Sequence, residues 1–157
     1  MKILILIFML ISFSFAKDYT YFLPADSALL KTHIQKLIKN SQNDIDIAMY
    51  NFSYSKFAKL LNKAIKRDVN VNVIFDKKKV KSDNKSQYKY LKSRGVNCFI
   101  ANKKMHLKIA LFDNEVAILG SLNWTKASFE DNYEIVHITD NKSVIDKSKK
   151  IFKELKN

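Results

Sequence analysis

The chain has 157 residues, 47% of them hydrophobic, and sets 28 Lys plus Arg against 15 Asp plus Glu, a formal net charge of +13. That is one domain's length, enough to bury roughly 68–70% of the unfolded surface. Gly95, Gly120 and Pro24 are its only Gly and Pro residues, which excludes collagen-like and Pro/Gly-rich disordered classes; lone Cys98 and three histidines exclude an internal disulfide framework and Cys-rich zinc modules.

Met1-Lys2 is a basic start, Ile3 to Ile11 is unbroken apolar sequence, and small residues stand at Ser14 and Ala16. The pattern predicts a secretory signal peptide over residues 1–16, cut after Ala16. The apolar run is shorter than the about 20 residues that span a bilayer. An uncleaved membrane tether and a buried N-terminal element are the alternatives. The mature domain then runs over 17–157, in a periplasmic or secreted location.

Tyr19 to Leu23 reads as an edge strand ended by Pro24. Ala28, Leu29, His33, Ile34, Leu37 and Ile38 recur at helical spacing, with Asp26 or Ser27 as cap. Asp44 to Met49 alternates as a strand does, and Phe57, Leu60, Leu61, Ala64 and Ile65 make an amphipathic helix. Val69 to Phe75 is β-branched and alternating. Lys77 to Asn84 is polar and reads as a loop; Tyr88 to Arg94 is a short helix stopped by Gly95. Strands follow at Val96–Ile100, Leu107–Phe112, Val116–Leu119 and Glu134–Ile138, and Asn141 or Ser143 opens a closing helix. Strands alternating with helices predict an α/β fold: a single domain with a mixed β-sheet flanked by helices.

The chemistry is concentrated between Met105 and Glu134. His106 and Lys108 are two apart in a strand and share a face, with Leu107, Ile109 and Leu111 toward the core. Basic groups on one face of an apolar strand are costly unless an anion meets them. Asp113 ends that strand, Ser121 and Asn123 follow Gly120, and Glu134 starts the next strand. These are the parts needed to hold and cleave a phosphodiester. Lys108 would place positive charge on non-bridging oxygens, and Ser121 and Asn123 would donate to the same atoms. His106 would attack phosphorus when neutral, or donate a proton when charged, with Glu134 accepting from its other nitrogen. Metal-ligand spacing is missing from the sequence, so neither a metal nor another cofactor is expected.

His106-x-Lys108-x4-Asp113-x6-Gly120-Ser121-x-Asn123 resembles the HKD signature of the phospholipase D superfamily. Asn123-Trp124-Thr125, Asn132-x-Glu134 and the stretch from Met49-Tyr50-Asn51-Phe52 to Phe75-Asp76 resemble the small single-motif bacterial endonucleases of that superfamily. Asp68 departs from the pattern, standing where the family often has Gly, and is expected to strain its turn slightly. The resemblance implies a phospholipase D/nuclease-like fold. It also implies a homodimer sharing one active site, because superfamily members use two such motifs around one centre. One His106 would form a phosphohistidine and the other would protonate the leaving oxygen. Asp113 is expected to orient the strand turn.

Lys103, Lys104 and Lys126 flank the motif and are candidate nucleic-acid contacts; Trp124 either stacks on a base or packs in the core. His33 and His137 lack partner motifs and read as structural. The expected function is a metal-independent, sequence-nonspecific endonuclease acting on DNA, with RNA as a further substrate. The alternative is a phospholipase D-type phosphodiesterase at a membrane, where anionic lipids would attract the same lysines.

Overall fold

The computed structural model describes residues 16–156. The signal-peptide reading falls on residues that, Ala16 apart, lie outside the described ones. Among the described residues no helix is long and apolar enough to cross a membrane.

The elements in chain order are β1 (Asp18–Leu23), α1 (Ser27–Asn40), β2 (Asp44–Met49), α2 (Ser55–Ile65), β3 (Asn70–Phe75), α3 (Lys77–Ser82), α4 (Tyr88–Lys92), β4 (Asn97–Ile100), β5 (Lys108–Phe112), β6 (Val116–Gly120), α5 (Lys126–Glu130), β7 (Glu134–Thr139) and α6 (Lys142–Lys156). The strands form one mixed sheet in the order β1-β7-β6-β5-β2-β3-β4. β2, β3 and β4 run parallel because a helical crossover joins each to the next; β5, β6 and β7 form an antiparallel meander.

Alternation along the strands loads both sheet faces. One face buries Leu30, Ile34 and Ile38 of α1, Phe57 and Leu61 of α2, Leu91 of α4 and Phe129 of α5 against Ile45, Ile47, Val71 and Val73. The other buries Ile145 and Phe152 of α6 against Ala48, Ile74, Leu111 and Ala117. α6 starts where Asn141 Oδ1 accepts from the Ser143 and Val144 backbone N–H groups at 3.0 and 3.3 Å. Asp26 does not cap α1 with its side chain; Oδ2 accepts from Phe22 N–H at 2.9 Å instead, fixing the exit of β1.

The expected loop at 77–84 is mostly helix. Asp76 Oδ1 accepts from Lys79 N–H at 3.0 Å, a side-chain cap that starts α3 despite its lack of an apolar stripe. α5 was absent from the expected elements and is likewise set by its cap, Thr125 Oγ1 accepting from Ser128 N–H at 3.1 Å.

Candidate active site

One end of the sheet collects the relevant chain ends. β2 and β3 finish side by side at Met49 and Phe75, β5 starts at Lys108 opposite Met49, β6 ends at Gly120, and β7 starts at Glu134. This is the carboxyl edge of the parallel strands, where open α/β sheets hold ligands.

His106 precedes β5 rather than lying in it. Pairing continues just past the strand ends, with Tyr50 N–H donating to Leu107 O at 2.9 Å, so Tyr50 and His106 become neighbours. Their ring centroids are 4.3 Å apart. Lys108 Nζ donates to His106 O at 2.8 Å and lies 3.2 and 3.3 Å from the two ring nitrogens. It also stands 5.0 Å from the centre of the Tyr50 ring. Desolvation, then the Lys108 and Lys104 charges, hold His106 below the ordinary histidine value of 6.5, with Asp76 opposing. The imidazole is therefore biased toward its neutral, nucleophilic form at neutral pH. Burial also lowers Lys108, while the Glu134 carboxylate pulls it back up.

Gly120 is dictated by close approach: a Cβ there would sit 2.1 Å from Ile135 O. That contact lets Ser121 dock on β7, its N–H donating to Ile135 O at 3.0 Å and its Oγ accepting from Ile135 N–H at 3.1 Å. The Ser121 hydroxyl donates to Glu134 Oε2, and Asn132 Nδ2 donates to Oε1 at 3.2 Å. Two expectations change here. The single Ser121 proton is spent on Glu134 and not on a substrate oxygen. Within one chain, Glu134 bonds Ser121 and Asn132 and not the His106 ring. Asn123 Oδ1 accepts from Asn51 N–H at 3.2 Å, which orients its amide next to Tyr50.

Asp113, named with the motif and expected to orient the strand turn, belongs to that turn and stands apart from the reacting centre. It lies beyond the far end of β5 from His106, and its carboxylate accepts from the backbone N–H groups of Gln42, Asn43 and Asp44 at 2.8–3.1 Å. It ties the β5–β6 turn, where Asp113 and Asn114 have φ of 50° and 58°, to the start of β2. Of the two readings of Trp124, stacking on a base or packing in the core, the structure shows the second. It is 1% exposed, edge-on to Phe52 and Phe57 at 5.1 and 5.0 Å, and has no open face for a base. It lies beneath the site, lining a small internal gap with Lys108, Gly120 and Leu122. Leu107 is 40% exposed rather than core-facing, because α6 does not reach that end of the sheet.

Lys103 and Lys104 line an open cavity of about 620 Å³ next to the site, together with Tyr50, Asp76, Lys77, Lys78 and Lys81. Lys126 lies away from it on α5, 3.7 Å from Glu130. Structural roles hold for two histidines: His33 Nδ1 is 2.8 Å from Tyr21 Oη, and His137 lies 3.1 Å from Thr20 Oγ1 and 3.4 Å from Asp18.

Sequence reading missed Tyr50, Asp76 and the α3 lysines as parts of the site. A signal was present: Tyr50 and Asp76 each stand one residue past the paired ends of β2 and β3. Asp76 is 2% exposed, and its Oδ2 accepts from Met105 N–H at 3.1 Å, one residue before His106. Among the described residues no group of three or more His, Cys, Asp or Glu side chains is placed to hold a metal ion.

The fold and the His106–Lys108 centre together have the arrangement expected of the phospholipase D superfamily. The chain belongs to the PLD-like domain family, whose model, described as cardiolipin synthase, PLD-like domain, matches residues 34–156. It is 33% identical over 132 residues to the mitochondrial cardiolipin hydrolase of Xenopus laevis, covering 83% of this chain and 61% of that protein. The chain thus spans about three-fifths of that curated relative. NucT from Helicobacter pylori superposes with a TM-score of 0.82 at 25% identity, over 89% of this chain and 95% of that one. Nuc from Salmonella typhimurium, a phospholipase D family member, superposes with a TM-score of 0.79 at 21% identity, over 89% and 93%. The single-domain mixed-sheet architecture expected from the sequence is therefore the one observed.

Proposed function

We propose that this protein is a metal-independent endonuclease of low sequence specificity, exported through residues 1–16, that hydrolyses DNA and also RNA phosphodiester bonds. The observation that carries the reading is the His106–Lys108 pair, packed on Tyr50 and opening beside Lys103 and Lys104. A backbone phosphate there meets a neutral nucleophile and several cations, with no group reading base edges.

The reading includes a two-fold homodimer. On the sheet face that carries α6, Leu107, Ile135 and Phe22 are 40%, 46% and 60% exposed, with Ile109 and Leu119 half-buried between them. A second copy on this apolar face would bring two His106 side chains to one phosphate. One neutral imidazole nitrogen attacks phosphorus, the P–N bond forms and the P–O bond breaks. The departing oxygen takes its proton from His106 of the partner subunit. Water then attacks the phosphohistidine, giving a proton back to the partner's His106 as the P–N bond breaks.

A second reading, hydrolysis of phospholipid diesters at a membrane, is favoured by the relatives named as cardiolipin hydrolases. The two separate in one assay of the purified protein on single-stranded DNA, plasmid, RNA and cardiolipin vesicles. Turnover of nucleic acid and not of vesicles supports the endonuclease; turnover of vesicles alone replaces it with the lipid reading.

A further inference from the structure

The cavity beside the catalytic pair has a composition that cleavage alone does not require. Lys77, Lys78 and Lys81 of α3 form one wall, and Lys103 and Lys104 stand on the segment leading to His106. Its volume of about 620 Å³ lies within the range of ligand sites, typically about 300–1,000 Å³, and it opens widely to solvent. Asp76 is the one carboxylate in the lining. Both of its oxygens are engaged by backbone N–H groups, those of Lys79 and Met105. Among the described residues none of the five lysines is in an ion pair. Five lysines around one cavity concentrate positive charge there, which favours the entry of an anion.

α3 itself points the same way. It buries no residue, and only Val80 packs partly on the core. A six-residue helix gains little from such packing, so its shape serves mainly to hold lysines at this rim. The cavity also communicates with the reacting centre. Tyr50 lines it while its ring lies 4.3 Å from His106, with Lys79 Nζ 5.2 Å from the centre of the same ring.

We propose that this cavity is a flanking-phosphate subsite: it holds the backbone of a nucleic-acid strand on one side of the scissile phosphate. The inference rests on the endonuclease reading and extends it. The groove takes non-bridging phosphate oxygens irrespective of base, so it adds affinity for a polymer and little for an isolated diester. A cardiolipin molecule brings one further phosphate beside a scissile diester, whereas a nucleic-acid strand brings a run of them along these lysines.

The test compares the full chain with Lys78→Ala/Lys81→Ala, two exposed side chains whose removal leaves the core untouched. A stronger version is Lys78→Glu/Lys81→Glu. Lys149→Ala/Lys150→Ala, on the exposed side of α6, removes equal charge elsewhere. Binding of a fluorescent single-stranded oligonucleotide is measured by anisotropy across a salt series. Cleavage of the oligonucleotide is measured beside that of bis(4-nitrophenyl) phosphate, a diester without flanking phosphates. The α3 variant is expected to lower the ratio of the two kcat/KM values at least tenfold. It should also flatten the log–log salt slope by about 1.4, two contacts at roughly 0.7 each. The α6 variant should leave that ratio near the parent's. Equal losses in the α3 and α6 variants, or an unchanged slope in the α3 variant, overturn the subsite. Oligonucleotide binding with the expected slope change but without cleavage of the oligonucleotide keeps the cavity as a strand-binding site and overturns the endonuclease reading. A parent that neither binds nor cuts the oligonucleotide overturns both.

Discussion

At the scale of single residues, the site depends on groups that never meet the substrate. Asp76 is the clearest. One buried carboxylate caps α3 and holds the Met105 N–H, so it joins the lysine-bearing rim to the chain entering His106. Asp76→Asn keeps one acceptor oxygen and turns the other position into a donor facing an N–H group. It is expected to lower kcat by about ten- to a hundredfold, the scale of a 1 Å misplacement of a reacting group, with a smaller change in KM. Because Asp76 raises the His106 pKa, its neutralisation should also move the His106 ring titration to lower pH by NMR. An altered kcat with an unmoved titration would show that the carboxylate acts only as a structural brace. Ser121 has a similar status, since its proton goes to Glu134 and its role is to position that carboxylate.

At the scale of elements, the Arg67-Asp68 turn between α2 and β3 shows a cost that the rest of the fold absorbs. The Arg67 guanidinium donates to Ile38 O and Ser41 O at 3.0 and 3.3 Å, anchoring the end of α1, while Asp68 is held at φ 63°. That left-handed backbone disfavours most side chains, and Asp tolerates it better than most, so the slight strain expected at this turn is present. Asp68→Gly should stabilise by up to about 1 kcal/mol, read as a higher denaturant midpoint at constant slope. A lower midpoint would mean that Gly's unfolded-state entropy outweighs the relieved strain.

The elements also show what sequence could carry. α1, α2 and α6 were legible because Leu30, Ile34, Ile38, Phe57, Leu61, Ile145 and Phe152 repeat at helical spacing and bury on one side. The strands were legible by alternation, to within a residue or two at their ends. α3 and α5 were not, since each is set by a single cap and neither has an apolar stripe. His106, Lys108, Ser121, Asn123 and Glu134, grouped by spacing in the sequence, lie together at one end of the sheet. That Ser121 holds Glu134, or that Asp113 serves the opposite end of the sheet, depends on strand order and register, which spacing does not encode.

At the scale of the whole molecule, charge and apolar surface are separated around one end of the sheet. Lysines crowd the β3 side, and Leu107, Ile135 and Phe22 leave the β5–β7–β1 side apolar. The arrangement suits a polyanion on one flank and a second copy on the other. Two histidines tie its stability to pH. Burial, then Lys36, lowers His33, and desolvation, then Lys108 and Lys104, lowers His106. Well above the ordinary value of 6.5 neither state of the chain protonates these rings appreciably. Below it the unfolded chain takes up protons that the folded chain resists, so stability falls as pH drops from 6.5 toward the lowered folded values. Thermal midpoints should therefore decline from pH 7.5 to pH 5.5, and His33→Gln should reduce the decline. An equal decline in that variant would assign the pH dependence elsewhere.

The central claim is that His106 acts covalently on a nucleic-acid phosphodiester without a metal ion. The direct measurement is digestion of single- and double-stranded DNA by residues 17–157 with EDTA present, beside His106→Ala of matched fold. Cleavage by the parent alone is the predicted result. Cleavage by both proteins, or by the parent only after magnesium is restored, would contradict it.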